Sequence, residues 1–501
     1  MPPGRKVTTM DTDSRKVFFF TGEKKVIPSI GKKREKGKIV ASLEEAFRLA
    51  DVRDGMTISF HHHLRDGDLV VNMALDVLAK MGIRDLVLAP SALFPVHERL
   101  LRHVRSGVIR SIEGSVNGPV GRAASEGLFS SPVILRSHGG RVRAMQAGEL
   151  RVDVAVLAAP AADAMGNLSG ISGPSACGSL GYAFTDAQYA DRVIAVTDNL
   201  VSYPAVPFSI PQTLVDWVVP VESIGVPEKI VSGTLRVTRD PLRLIIAEHV
   251  AKVVEESGLF TDGFSMQAGA GGISLAASAF IRERMKAAGI RGSFISGGIT
   301  GQSVEMLEEG LFESLLDVQS FDLEAVASLA SNRGHAEMSA SFYANTASKG
   351  CAVDMLDVAV LGATQVDMDF NVNVNTESDG VLLHGIGGHM DTAAGAAMTV
   401  IVTPLFRGRM PMIVDSVLTV TTPGETVDVV VTERGVAVNP RRKDLLENLR
   451  GKGIPLMEIG DLKKTAEEFT GIPKTPSFGD NVIGIVEYRD GTIIDTIRQR
   501  I

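Results

Sequence analysis

The sequence predicts an α/β protein of two tandem domains with open, mainly parallel sheets, and two observations carry that expectation. Short aliphatic runs alternate with amphipathic helical segments. Met56-Thr-Ile-Ser-Phe60, a helix expected over Val70 to Met81, and Asp85-Leu-Val-Leu-Ala89 give a βαβ order, which favours parallel pairing. The same order then recurs. Val152-Asp-Val-Ala-Val-Leu157 is answered by Leu356-Asp-Val-Ala-Val-Leu361, each followed by a loop rich in Gly and Asn. Asp54-Gly-Met-Thr-Ile-Ser-Phe60 is answered by Asp262-Gly-Phe-Ser-Met-Gln267, about a hundred residues before its partner run in both halves. A repeat that long is a duplicated domain rather than a solenoid unit. Prolines and glycines near 225–233 mark the junction, giving a leader over 1–38 and domains over 39–228 and 229–501.

The totals agree with this division. A chain of 501 residues holds two or three cores, and 51 glycines with 5% aromatics suit an α/β protein with many short loops. Two cysteines, Cys177 and Cys351, argue against a disulfide frame or a cysteine metal site, which leaves packing as their role. The longest apolar runs fall short of a membrane span and the start lacks a secretory pattern, so a cytoplasmic protein is expected. Residues 1–38 carry eleven Lys or Arg against four Asp or Glu. That leader reads as a solvated, flexible tail, the alternative being an arm for nucleic acid or an acidic partner.

Taken in order, Ser42 with Glu45 three residues on is a capping-box start for a first helix. His61-His-His63 follows the first strand, in the loop position where open α/β sheets place ligand contacts. Adjacent histidines rarely converge on one ion and no second cluster has ligand spacing, so no metal is expected. Leu135-Arg-Ser-His-Gly-Gly-Arg-Val-Arg143 sets Arg136, His138, Arg141 and Arg143 around a glycine pair, read either as a solvated hairpin or as a basic surface for an acidic partner. The second half opens with a helix from Pro241 to Ser257. Phe264-Ser-Met-Gln-Ala-Gly-Ala-Gly-Gly-Ile273 then places strand, glycine loop and helix in the order of an anion or oxyanion cradle. It lacks the Lys-Ser/Thr of an NTPase loop and an acidic residue at dinucleotide spacing. A second glycine loop, Gly385-Ile-Gly-Gly-His389, lies between the Leu356–Leu361 strand and a small-residue run that starts a helix.

These motifs, FHHHLRDGDLVVNM, SHGGRVR, GSLGYA, FSMQAGAGG, LLDVQSFD, FNVNVNTESDG, GGHMDTA and PLFRGRMP, resemble the alpha subunits of citrate lyase, over nearly the whole chain after about residue 40. The resemblance implies two CoA-transferase-like (NagB/RpiA-like) domains. It implies exchange of acetyl for citryl on an acyl-carrier thioester, with no permanently bound cofactor and acetyl-CoA as a possible surrogate. The expected partners are citrate, an acyl-carrier gamma subunit and a lyase beta subunit in a hetero-oligomer, with neither nucleic acid nor membrane. The wider superfamily carries a nucleophilic glutamate. Aligned on the helix Val304–Gly310, Gly297 stands in its place, and no Glu or Asp lies between Arg291 and Gln302. The resemblance therefore implies a mixed anhydride formed without a glutamyl intermediate. Gly269, Gly271, Gly387 and Gly388 are the candidate oxyanion donors, and His62, His389, Arg407 and Arg409 the candidate citrate contacts. Arg136, Arg141 and Arg143 are candidates for docking the carrier, and Glu377 is read as an exposed turn carboxylate. A transferase or thioesterase for another acid such as citramalate, and a non-catalytic binding or scaffold subunit, stay open as alternatives.

Overall fold

The computed structural model describes residues 6–12, 15–21, 37–230, 237–474 and 476–501. Its framework is two sheets of aliphatic strands. The first uses β1 (Thr57–Phe60), β2 (Leu86–Pro90), β3 (Ile109–Ile112), β5 (Val154–Ala159), β6 (Arg192–Thr197) and β7 (Trp217–Pro220), in the order β7-β6-β5-β1-β2-β3, all parallel. β4 (Val133–Leu135) stands apart and is paired elsewhere. The second uses β8 (Met266–Ala268), β9 (Gly292–Ile299), β10 (Phe312–Ser320), β11 (His335–Glu337), β12 (Val358–Gly362), β13 (Met398–Val402), β14 (Val429–Val431) and β15 (Val436–Val438), in the order β11-β10-β9-β8-β12-β13-β14-β15. Only its last pair is antiparallel. Runs such as Val154–Ala159 are buried at every residue, as strands covered on both faces must be.

The two orders match strand for strand: β7-β6-β5-β1-β2-β3 corresponds to β14-β13-β12-β8-β9-β10. The repeat extends to single hydrogen bonds. The Thr57 N–H donates to the Asp153 carboxylate at 2.8 Å, and the Ser265 N–H donates to Asp357 at 2.7 Å. Arg84 N–H meets Asp54 at 2.8 Å, and Arg291 N–H meets Asp262 at 2.9 Å. Asp163 accepts from the Asn167 N–H, and Asp367 from the Asn371 N–H. The aspartates that open each repeated run therefore clip its strand to the next one, and the Gly/Asn loop is folded by an aspartate turn in both halves.

Helices fill the crossovers. α1 (Leu43–Leu49) begins at Ser42, whose hydroxyl accepts the Glu45 N–H, while Glu45 reaches one residue further back, to the Ala41 N–H. α2 (Val70–Lys80) starts on Asp68, which accepts from the N–H groups of Val70 and Val71. α3 (His138–Ala147) is where a solvated hairpin was one expectation. Gly139 and Gly140 sit inside its first turn because a Cβ on Gly139 would come within 2.0 Å of the Ala344 carbonyl oxygen; the glycine pair serves backbone approach, not a turn. α4 (Gly181–Tyr189), α5 (Pro241–Glu256) and α6 (Gly272–Ala288) follow, and α7 (His389–Gly395) closes the second glycine loop.

The C-terminal strands β16 (Phe478–Glu487) and β17 (Ile493–Arg500) form an antiparallel hairpin, and β16 pairs in parallel with β4. Ile483, Val486 and Ile497 thereby join the core of the first half. This contact corrects the docking surface expected of Arg136, Arg141 and Arg143. All three are buried and paired within the chain. Arg136 bonds Glu487 at 3.0 Å and Glu113 at 2.6 Å, Arg143 bonds Glu487 and Glu149, and Arg141 grips Asp186 at 2.6 and 3.0 Å. Guanidiniums committed to buried carboxylates are not available to a carrier, and removing one partner of such a pair costs about 3–5 kcal/mol.

Residues Lys38 to Ile501 form one compact unit. Within 1–37, Lys6–Thr12 and Arg15–Thr21 pair as an antiparallel hairpin. The remainder of the leader and the junction at 231–236 lie outside the described residues. Among the described residues no helix is long and apolar enough to cross a membrane.

Candidate functional site

A cavity of about 350 Å³ opens at the carboxyl ends of strands from both sheets. The loops after β1, β2 and β3 supply His62, Arg65, Phe94, Ser115 and Asn117; α3 and α4 supply His138 and Tyr182. The second half supplies Gln267 to Gly271 after β8, Gly298 in β9, Val318, Gln319 and Phe321 around the end of β10, Tyr343, Leu361 and Gly362, and the loop His384 to His389. Strand ends at such a switch point are where this architecture exposes backbone and side chains to a ligand.

The three histidines divide their roles. His61 Nε2 accepts the Ala158 N–H at 2.8 Å and His63 Nε2 lies 2.9 Å from the Ala158 carbonyl, with the two rings stacked at 3.7 Å. The outer pair thus pins the end of β5. His62 points the other way, bonded through Nδ1 to Ser91 at 2.6 Å and stacked on Tyr182. Burial, reinforced by His138 and Arg65, holds His62 well below the usual imidazole range. Burial brings His138 to about 3 and His389 to about 4, and lowers His384 as well. The imidazoles in the cavity are therefore neutral at pH 7.

Arg65 supplies the positive charge. It sits at φ 52°, with its guanidinium 4.6 Å from the Phe321 ring centre and 5.2 Å from that of Phe94. Burial brings its pKa down to about 10, which leaves it charged at neutral pH. Among the described lining residues it is the one Lys or Arg. Sequence reasoning passed over it; a non-glycine residue forced into the left-handed region is a three-dimensional signal with no composition cue. The expected cations Arg407 and Arg409 lie instead on an exposed hairpin, Phe406–Arg407 with Met410–Pro411, and neither lines the cavity.

The glycine candidates separate in the same way. Gly269 lines the cavity, but its N–H donates to the Val360 carbonyl at 2.8 Å inside the sheet, so it has no proton left for an oxyanion. Gly271 caps the 17-residue α6, with its N–H and the first helical N–H groups at the cavity edge. Gly387, at φ +64°, and Gly388 lie on the opposite loop. The N–H groups of Gly271, Gly387 and Gly388 meet no acceptor among the described residues. His389 lines the cavity with both nitrogens spent, Nδ1 on Thr422 at 2.7 Å and Nε2 on the Gly362 carbonyl at 2.9 Å. It thereby braces the loop.

That loop is held from the first half. Asn117 Oδ1 accepts the Gly385 N–H at 2.9 Å, and the His138 N–H donates to the Gly387 carbonyl at 2.9 Å. Asp391 in α7 reaches back to the start of α3, accepting from Ser137 Oγ at 2.8 Å and the Gly139 N–H at 2.9 Å. Burial raises the Asp391 carboxyl to about 6 although Arg489, at 3.9 Å, opposes the shift. Gly297, the position expected to replace the superfamily glutamate, has φ +102° at a bulge in β9, and Gln267 fills the space a side chain there would need. Glu377 is exposed on its turn and Cys177 and Cys351 are buried with raised thiol pKa values.

Duplicated parallel sheets joined at a glycine-lined cavity define a CoA-transferase-like fold. A chain of a Pseudomonas malonate decarboxylase hetero-tetramer shares that fold at a TM-score of 0.65, with 17% identity and 86% of each chain covered. The family model of the citrate lyase alpha subunit matches residues 36–500, and the chain belongs to that family. The citrate lyase alpha chain of Klebsiella pneumoniae is 51% identical over 94% of this chain and 93% of its own, and that of Escherichia coli is 49% identical over 92% and 91%. The citrate lyase alpha subunit of Streptococcus mutans, solved in complex with citrate, is 49% identical over 94% of this chain and 92% of its own, at a TM-score of 0.92.

Proposed function

We propose that this chain exchanges the acetyl group of an acyl-carrier thioester for citryl, releasing acetate, through a mixed anhydride and without an acylated side chain. The observation that carries the reading is the chemistry of the cavity lining, where the described residues include no Asp, Glu or Cys. Its one serine, Ser115, is packed against Gly385, and among the described residues no base bonds its hydroxyl. With no carboxylate or thiol in the lining to carry the acyl group, the two substrates react directly with each other.

A citrate carboxylate attacks the thioester carbonyl, the carrier thiolate leaves, and the thiolate then attacks the citryl carbonyl to expel acetate. Each step passes through a tetrahedral oxyanion, for which the free N–H groups of Gly271, Gly387 and Gly388 are suited. Arg65 is suited to a second citrate carboxylate, since a buried guanidinium offers paired donors and a fixed charge. The neutral imidazoles leave the attacking carboxylate poorly solvated without pairing it to a cation. Citrate bound in the Streptococcus mutans relative supports this choice of acid. Cleavage of the citryl thioester to oxaloacetate needs a stabilised enolate, commonly through a divalent metal on carboxylates, and is assigned to a separate beta subunit.

The test is to incubate the purified chain with citrate and acetyl-CoA as carrier surrogate and to follow acetate and citryl-CoA by mass spectrometry. Both products should appear without oxaloacetate in a malate dehydrogenase-coupled assay containing magnesium. No acetate, or oxaloacetate from this chain alone, overturns the assignment.

A further inference from the structure

The cavity holds a hydroxyl donor that the glycine loops do not account for. The Tyr343 hydroxyl lies 2.8 Å from Gln267 Nε2, and Gln267 Oε1 lies 3.2 Å from Ser296 Oγ. In this orientation of the carboxamide its nitrogen donates, so the phenol oxygen is the acceptor in that bond and its own proton is directed elsewhere. No acceptor for that proton exists among the described residues. The hydroxyl also lies directly over Gly388, where a Cβ would come within 2.3 Å of it, and both residues line the cavity. Burial pushes the phenol above its usual ionisation range, so it stays a donor at any working pH.

We propose that Tyr343 is a catalytic residue of the exchange, donating its hydroxyl hydrogen bond to the tetrahedral oxyanion beside the Gly387–Gly388 loop, with Gln267 as its positioning residue. The proposal rests on the exchange reading above. In the first step a carboxylate oxygen bonds to the thioester carbon and the carbonyl π pair moves onto oxygen, where Tyr343 and the loop N–H groups meet it. The pair returns as the C–S bond breaks and the sulfur leaves with its electrons. In the second step the thiolate bonds to the citryl carbon, the oxyanion forms again, and acetate leaves with the C–O bonding pair. The phenol proton stays on Tyr343 throughout. Gln267 has a second consequence: its carboxamide lies where a side chain at Gly297 would project, within 2.8 Å of that Cβ position, so the group that orients the phenol occupies the space of the missing glutamate.

Tyr343→Phe keeps the ring and removes the donor. It should lower kcat for acetate release by roughly 100-fold, the scale of one lost oxyanion contact, with the affinity for citrate by calorimetry little changed. Gln267→Glu should be impaired differently. Its carboxylate would accept the phenol proton and turn it away from the cavity, so kcat falls at neutral pH and recovers as the pH is lowered and the new carboxyl is protonated. Wild-type chain that makes no acetate would refute the exchange reading. Active wild type with full kcat in folded Tyr343→Phe would refute the role of Tyr343 alone. If Tyr343→Phe does not fold, the pH profile of Gln267→Glu decides: recovery at low pH supports the proposal, and a profile parallel to wild type overturns it.

Discussion

Replacing Gly271 with proline deletes one backbone N–H at the edge of the cavity while demanding little of the fold. Gly271 sits at φ −77°, close to the angle a proline ring imposes, and a Cβ there meets nothing within 4 Å. As the cap of α6 it precedes the first helical residue, so its N–H supports no helical hydrogen bond. The loss should therefore appear in the chemistry. Removing one oxyanion donor costs about 3–4 kcal/mol, or roughly a hundred- to a thousandfold in kcat, with the KM for citrate little affected. Gly271→Ala retains the N–H and should cost at most about 1 kcal/mol of stability through poorer capping. Gly269→Ala should be close to silent, because its N–H already serves Val360 and its Cβ would stand 3.5 Å from that carbonyl, an ordinary contact. Steady-state acetate release, with thermal melts on all three variants, reads out the series. Full kcat in folded Gly271→Pro would show that no reacting oxygen uses this donor.

Other outcomes follow from the same geometry. Arg65→Met should raise the KM for citrate by about a hundredfold or more, the effect of losing a charge-assisted contact in a desolvated site. Arg407→Met and Arg409→Met, on their exposed hairpin, should leave it unchanged; the reverse pattern in citrate titrations would return the role to the hairpin. Hydroxylamine or borohydride trapping with acetyl-CoA should label no glutamate, and Glu377→Gln should keep most of its activity; a labelled peptide with parallel loss of turnover would restore a covalent route. Asp391, raised from 3.8 to about 6 by burial, holds its proton more tightly folded than unfolded. Its contribution to stability is therefore fullest below about pH 4, falls as the pH rises, and is lost above about pH 6, where the buried carboxylate is charged. Asp391→Asn should flatten the fall in melting temperature between about pH 4 and 6, and an unchanged slope would mean that another group titrates there.

The duplication was legible because it is written locally. Asp54 and Asp262, or Asp153 and Asp357, recur beside the same aliphatic runs, and each pair makes the same hydrogen bond. The glycine loops were legible as places, since strand, glycine run and helix follow one another along the chain. Which glycine has a free N–H was not, because that depends on partners such as Val360 that converge only in the fold. Charge misled more than it informed. Arg136 and Arg143 read as a basic surface from their neighbours, yet the carboxylate that answers both, Glu487, is 351 and 344 positions away. The bracing of His389 was hidden for the same reason, its two hydrogen-bond partners lying on other loops. Tyr343 stands in a stretch with no motif of its own, and Arg65, though inside FHHHLRDGDLVVNM, was overshadowed there by the histidines.

The pairing of β16 with β4 has a consequence for synthesis. At about 5–20 residues per second, the ribosome needs roughly 20–70 s to travel the 351 positions from Arg136 to Glu487. Through that interval the segment holding β4 and Arg136 is already made but lacks the strand beside Val133–Leu135 and the carboxylate between two arginines destined for burial. The older half of the nascent chain waits for the youngest residues, so expressing the two repeats as separate polypeptides should leave the first one insoluble unless residues 478–500 are supplied with it.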